Sequence, residues 1–261
     1  GISQASNLIL GSELLENFSS TSDETKNNFS TWVQGNYEES NYFENLDKSL
    51  DSFSSEEPEI NYKVTNDDNG LYIYTSGTTG NPKAANISHK RLRLMMLGFK
   101  GAIQPNKNDR VYNVLPLYHS AGGVIAVGLA LTAGASLVLK RKFSVNEFWD
   151  DVHKYQVTIF QYIGELCRYL LNAPYHKYEK DHKLRMVTGN GLRPDIWDDF
   201  KDRFNIKNIL EFYGATEGNV SLMNYDGKSG AIGRIPKYME KILNVHIIKF
   251  DLSLIHISEP T

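Results

Sequence analysis

Between Val111 and Phe204 the chain alternates short apolar runs of strand length with longer stretches of helical period, and this alternation limits the fold more than any other feature. Val111–Leu115, Ala135–Lys140 and Val157–Ile163 read as strands, and Arg185–Val187 begins another. Val145–Tyr155 places Val145, Phe148, Trp149 and Val152 on one helical face, and Asp195–Phe204 turns Ile196, Phe200 and Phe204 inward. Strands and helices in this order bury their apolar faces by laying helices on a parallel or mixed sheet. The expected class is α/β, with mixed β-sheets covered by helices and any site at the strand ends. At 261 residues and 41% hydrophobic, the chain is long enough to bury a sizeable core.

The first seventy residues read as the end of an α/β layer. Asn7–Leu10 and Thr31–Val33 are strand-like, Ser12–Phe18 is a short helix, and Asn41–Phe53 looks helical. Ser19–Asn28 and Ser52–Glu57 are polar surface connections, and Glu56, Glu57 and Glu59 read as a solvated face rather than metal ligands. Further on, Ser88 is a good N-cap for a helix carrying Leu92, Met95, Met96 and Phe99, closing near Gly101. Lys90, Arg91 and Arg93 in its first turns oppose the helix dipole and read as surface residues.

Charge and cysteine content exclude several partners. With 28 basic and 31 acidic residues, a net charge of −3 gives no reason to expect nucleic acid or an anionic membrane surface. A single cysteine, Cys167, rules out an internal disulfide, and its surroundings make it a packed core thiol. The histidines lack metal-ligand spacing, and no run reaches the roughly 18–20 apolar residues of a membrane span.

Chemistry concentrates first at Thr75-Ser76-Gly77-Thr78-Thr79-Gly80-Asn81-Pro82-Lys83, directly after the apolar Leu71–Tyr74. Gly77 and Gly80 let backbone amides approach an anion, the hydroxyls of Thr75, Ser76, Thr78 and Thr79 add donors, and Lys83 adds a positive charge. This is a phosphate cradle, though not the P-loop of nucleotide hydrolases. That loop needs four residues between its glycines and a Gly-Lys-Ser/Thr ending, whereas two separate them here and Ala84 follows the lysine.

Three later stretches also sit at strand ends. Pro116-Leu117-Tyr118-His119-Ser120-Ala121-Gly122-Gly123 presents a histidine, then small residues through Ala130 that suit a closely packed helix. Thr188-Gly189-Asn190-Gly191-Leu192 is a glycine-flanked turn that would let a flat ring approach the backbone. Leu210-Glu211-Phe212-Tyr213-Gly214-Ala215-Thr216-Glu217-Gly218 supplies a ring, a glycine, a hydroxyl and a carboxylate, the parts needed to stack a purine, touch phosphate and hold Mg2+. Gly230–Arg234 reads as a glycine turn without a catalytic role.

The 75–83 loop resembles the phosphate-binding loop of the adenylate-forming enzymes, which include acyl-CoA synthetases, luciferases and peptide synthetase adenylation domains. Tyr72–Gly80, and still more Gln161-Tyr162-Ile163-Gly164-Glu165-Leu166-Cys167-Arg168-Tyr169-Leu170, look like the fatty acid transport proteins, also called very-long-chain acyl-CoA synthetases. The resemblance implies the large N-terminal domain of such an enzyme, incomplete at both ends, over 1–251. It gives catalytic roles to Lys83, His119, Thr216 and Glu217. Nucleotide contacts fall to Thr75, Ser76, Gly77, Thr78, Thr79, Gly80 and Lys83 around phosphate, Gly189, Asn190 and Gly191 against adenine, and Tyr213, Gly214 and Thr216. Glu217 would hold magnesium. ATP, Mg2+ and CoA are implied, with a long-chain fatty acid activated through an acyl-adenylate and linked to fatty acid uptake. A bile acid or other carboxylate ligase of the same fold, or a non-catalytic lipid-binding module, are the alternatives.

Residues 252–261 have no counterpart in that family, and the chain opens without methionine, so a truncated piece with an appended tail is expected. The family's C-terminal domain, with its lysine, is absent from the pattern, so the piece alone is expected to be inactive. Members of the family associate with the endoplasmic reticulum, peroxisomal or plasma membrane, so an anchor is expected in the full-length protein and not in this chain.

Overall fold

The computed structural model describes residues 4–38, 42–75, 83–218 and 221–242. Two compact units result, one up to Thr65 and one from Asn66 onward.

In the first unit, β1 (Asn7–Gly11) leads through a 3₁₀ turn into α1 (Leu15–Ser19), then α2 (Asp23–Lys26) and β2 (Ser30–Gln34). β3 (Glu44–Asn45) and α3 (Leu46–Ser52) follow. The three strands are parallel, in the order β1-β2-β3. Two expectations need correction. The stretch expected to be helical from Asn41 begins, where described, as strand: Glu44 and Asn45 pair with Trp32 and Val33, and the Asn45 side chain accepts from Lys48 N–H at 2.9 Å, so the helix starts only after this cap. The 19–28 connection carries the short helix α2.

The second unit begins with an antiparallel hairpin, β4 (Asn69–Thr75) and β5 (Lys83–Ser88). β5 went unseen in the sequence because Ala84 and Ala85 blur the alternation, and only Ile87 is fully buried. α4 (His89–Ile103) follows, capped by Ser88 Oγ accepting from Arg91 N–H. It runs two residues past Gly101 and closes on Gln104, whose φ of 50° ends the helix in the left-handed region. Next come β6 (Arg110–Asn113), a π-helical stretch over Ser120–Ala126, α5 (Val127–Ala133) and β7 (Ser136–Leu139). α6 (Val145–Lys154), β8 (Ile159–Ile163), α7 (Leu166–Asn172), β9 (Met186–Asn190), α8 (Pro194–Arg203), β10 (Ile209–Tyr213) and β11 (Leu222–Met223) follow, and a 3₁₀ turn over Lys237–Met239 is the last described element.

Six strands form one sheet in the order β11-β10-β9-β8-β6-β7, all parallel except β11, which runs antiparallel to β10. Their alternation divides the core. Tyr112, Phe160, Tyr162 and Val187 face α6, α7 and α8 with Phe148, Trp149, Leu170, Trp197 and Phe200. Val111, Ile159, Leu210 and Phe212 face α4, the π-helical stretch and α5 with Phe99, Ile103, Ile125 and Leu129. On α8 Phe200 is buried as expected and Trp197 joins it at 2% exposure, while Ile196 is only half-buried. The hairpin packs Ile73 and Ile87 against Val124, which brings the ends of the 75–83 loop to the stretch that follows His119.

Candidate functional site

Four of the five parallel strands, β6, β8, β9 and β10, lie side by side and end on the same edge of the sheet, and the segments leaving them carry three of the four sequence motifs. The fourth, the glycine-rich loop, spans the hairpin. Its ends are described: Thr75 pairs with Lys83 across the strands, with Thr75 Oγ1 donating to Lys83 O at 3.4 Å, and the Lys83 side chain is exposed. Ser76, Gly77, Thr78, Thr79 and Gly80 lie outside the described residues.

After β6, His119 occupies the position preceding the π-helical stretch, exposed, with Nδ1 accepting from Ala121 N–H at 3.1 Å. That bond leaves Nε2 as the outward nitrogen and places the proton of the neutral ring there. The turn is tight because glycine makes it so. A Cβ on Gly122 would lie 2.5 Å from Pro116 O, and one on Gly123 2.0 Å from Leu117 O.

After β10, Tyr213 presents a ring 57% exposed, Thr216 is half-buried and Glu217 exposed. Thr216 Oγ1 lies 3.2 Å from Ser120 Oγ, joining the histidine segment to this one. Arg91 also reaches the same loop. Its Nη2 donates to Thr216 O at 2.7 Å and Gly218 O at 2.5 Å, and the residue forms part of the wall of a cleft of about 660 Å3 along α4. The surface reading of Arg91 is therefore wrong: one guanidinium nitrogen serves two carbonyls of a loop distant in sequence, and helical spacing cannot reveal such a contact.

After β9, Gly189 is buried in the strand, where a Cβ would sit 2.3 Å from Tyr162 O, so packing alone demands a glycine. Asn190 is half-buried and Gly191 exposed with φ +100°. The Asn190 Oδ1 atom is buried with no hydrogen-bond partner, and Asn190 O accepts from Gly164 N–H at 2.8 Å. The turn is tied to β10 by Glu211, a residue that carried no assigned role in the sequence. Its carboxylate accepts from Gly191 N–H, from Leu192 N–H at 3.2 Å and from the Tyr162 hydroxyl. Burial pushes this carboxyl up more strongly than the three donors hold it down. The signal was a lone acid inside the apolar Leu210–Phe212. Cys167 is fully buried nearby, and burial pushes its thiol well up, in keeping with a packing role.

Among the described residues no group of three or more His, Cys, Asp or Glu could hold a metal ion. The donor set fits magnesium bound jointly with phosphate: one exposed carboxylate, Glu217, beside the Thr216 hydroxyl leaves the remaining positions to phosphate oxygens and water. The exposed Tyr213 ring fits a stacked base.

A sheet covered by helices on both faces, with these segments at one sheet edge, defines a nucleotide-binding class, and residues 5–246 match the family model described as AMP-binding enzyme; the chain belongs to that family. Within it the chain is similar to the fatty acid transport proteins, the branch that Gln161–Leu170 resembled. It is 50% identical to long-chain fatty acid transport protein 3 of Mus musculus over 185 residues, which covers 71% of this chain and 28% of that protein. Among solved structures, a fatty acyl CoA synthetase of Mycobacterium tuberculosis aligns with a TM-score of 0.71 at 20% identity, over 89% of this chain and 45% of that one. ATP-bound MatB from Rhodopseudomonas palustris aligns with a TM-score of 0.71 at 23% identity, over 88% and 44%. The α/β fold of this chain is thus that of adenylate-forming enzymes.

Proposed function

We propose that the chain contributes the nucleotide-handling part of an ATP-dependent ligase that converts a long-chain fatty acid to its CoA thioester. The observation that carries the reading is the junction of Ser120, Thr216 and Arg91, which draws the histidine and Tyr213–Glu217 motifs together at the sheet edge. The names of the relatives, transport proteins for long-chain fatty acids, supply the substrate class, and the CoA synthetase neighbour supplies the second substrate.

In this reading the fatty carboxylate attacks the α-phosphorus of ATP, the bond to pyrophosphate breaks, and acyl-adenylate forms. The CoA thiol then attacks the acyl carbonyl and AMP leaves. Residues 75–80 and Lys83 hold the phosphates, offering amide, hydroxyl and ammonium donors where charge develops. The outward Nε2–H of His119 is a donor toward the reacting oxygens. Gly189, Asn190, Gly191, Tyr213 and Gly214 enclose the adenine, and Thr216 touches phosphate. Magnesium held by Glu217 would neutralise phosphate charge when bound. Residues 1–251 are then part of the large N-terminal domain, 252–261 lie outside it, and the piece alone lacks turnover. No helix among the described residues is long and apolar enough to cross a membrane. Membrane association belongs to this reading of the whole protein.

The test is ATP–pyrophosphate exchange in the longer protein containing this chain, with and without long-chain fatty acid. Exchange that depends on the fatty acid and falls about 100-fold or more in His119→Ala is expected. Exchange indifferent to fatty acid would contradict the substrate class, and exchange with bile acids alone would replace it.

A further inference from the structure

Arg91 sits in the first turn of α4, eight residues after Lys83, with its amide held by the Ser88 cap at 3.3 Å. From this fixed base its side chain crosses to a loop 125 residues away and donates from one nitrogen to the carbonyls on either side of Glu217, those of Thr216 and Gly218. The Glu217 backbone is thereby bracketed, while its own side chain stays exposed. The Ser120–Thr216 hydroxyl contact fixes the same loop from the opposite segment. One path of rigid elements thus runs from Lys83 along β5, through the Ser88 cap and Arg91, to Glu217.

We infer that Arg91 is a positioning residue that sets the distance between the phosphate-binding lysine and the magnesium-binding carboxylate, so that metal and nucleotide bind as one unit. This rests on the nucleotide reading of the site. A carboxylate that binds only one metal position gains affinity from being held in place, and outer contacts of this kind change metal affinity by about 10–100-fold. Both bonds leave one trigonal nitrogen at the far end of a planar guanidinium, and the shorter, freely rotating lysine ammonium does not reproduce that placement.

The experiment uses the purified chain and its Arg91→Met and Arg91→Lys variants, with two readouts. Hydrogen exchange at the amides of 216–218 is measured without ligand, and ATP binding is measured by calorimetry with and without Mg2+. Faster exchange confined to that loop, together with a roughly tenfold loss of Mg-ATP affinity and little change in metal-free ATP affinity, is expected. A purely structural role would weaken both forms of ATP alike. Unchanged exchange at 216–218, or faster exchange with Mg-ATP affinity intact, would overturn the proposal. If the parent chain binds no ATP in either condition, the nucleotide reading itself fails, an outcome that the parent reports apart from the variants. The charge-retaining Arg91→Lys keeps the test decisive should Arg91→Met fold poorly.

Discussion

Ser120 Oγ and Thr216 Oγ1 lie 3.2 Å apart, although 96 residues separate them in sequence. That contact joins the segment after β6 to the segment after β10, and it makes two motifs into one site. Removing it should be measurable. Ser120→Ala and Thr216→Val are each expected to cost about 1 kcal/mol in denaturant unfolding, and the double variant less than their sum. Strict additivity would mean that the two hydroxyls do not interact.

Glu211 holds the 189–192 turn through three donors. Glu211→Ala strands buried donors and is expected to cost about 2–4 kcal/mol, while Glu211→Gln keeps an acceptor and loses less. The pH dependence has a definite sign. Burial raises the folded carboxyl above its ordinary 4.5, so the folded state holds the proton more tightly than the unfolded chain. Relative to Glu211→Gln, the parent should lose stability as pH rises from about 4.5 through the raised folded value. Unfolding curves of both proteins across that range check this, and a parent gaining stability relative to the variant would contradict it.

Asp109, 3% exposed, works in the opposite direction. Burial pushes its carboxyl up, but hydrogen bonds from Arg185, Asn106 and Thr158 and the charge of Arg185 outweigh burial and hold it below 3.8. Its contribution is present above that value and disappears as pH falls through the folded one. Arg185→Ala leaves the buried carboxylate without its two guanidinium bonds, at 2.8 and 2.7 Å, and should cost about 3 kcal/mol near neutral pH, with a smaller cost in acid. Equal costs at both pH values would show that packing, not charge, holds this corner.

Gly123→Ala is expected to disrupt the His119 turn rather than the fold elsewhere, because the new methyl would meet Leu117 O at 2.0 Å and its carbonyl carbon at 3.0 Å. The backbone must shift, at a cost of about 1–3 kcal/mol. Proteolysis or hydrogen exchange should localise the change to 116–126; an unperturbed turn would refute the steric account.

Much of this was legible in the sequence. Strands such as Val157–Ile163 and helices such as Val145–Tyr155 announced themselves through apolar period, and Ser88 as a cap by its chemistry. The illegible parts share a cause. β5 hides behind alanines, and its pairing with β4 is decided by the partner strand. Arg91, Ser120 and Glu211 act through partners 125, 96 and 49 or fewer residues away, so no local pattern marks them. Gly189 could be read as a ring-binding glycine, yet strand packing against Tyr162 already requires it.

The central claim is that the hairpin lysine and the loop carboxylate serve one nucleotide. Calorimetry of Mg-ATP binding to the chain, beside Lys83→Ala and Glu217→Ala, tests it most directly. Saturable binding that weakens about tenfold or more in each variant, with the Glu217 effect vanishing when magnesium is omitted, is the predicted result. Binding by the folded parent that is equally strong in both variants would contradict the account.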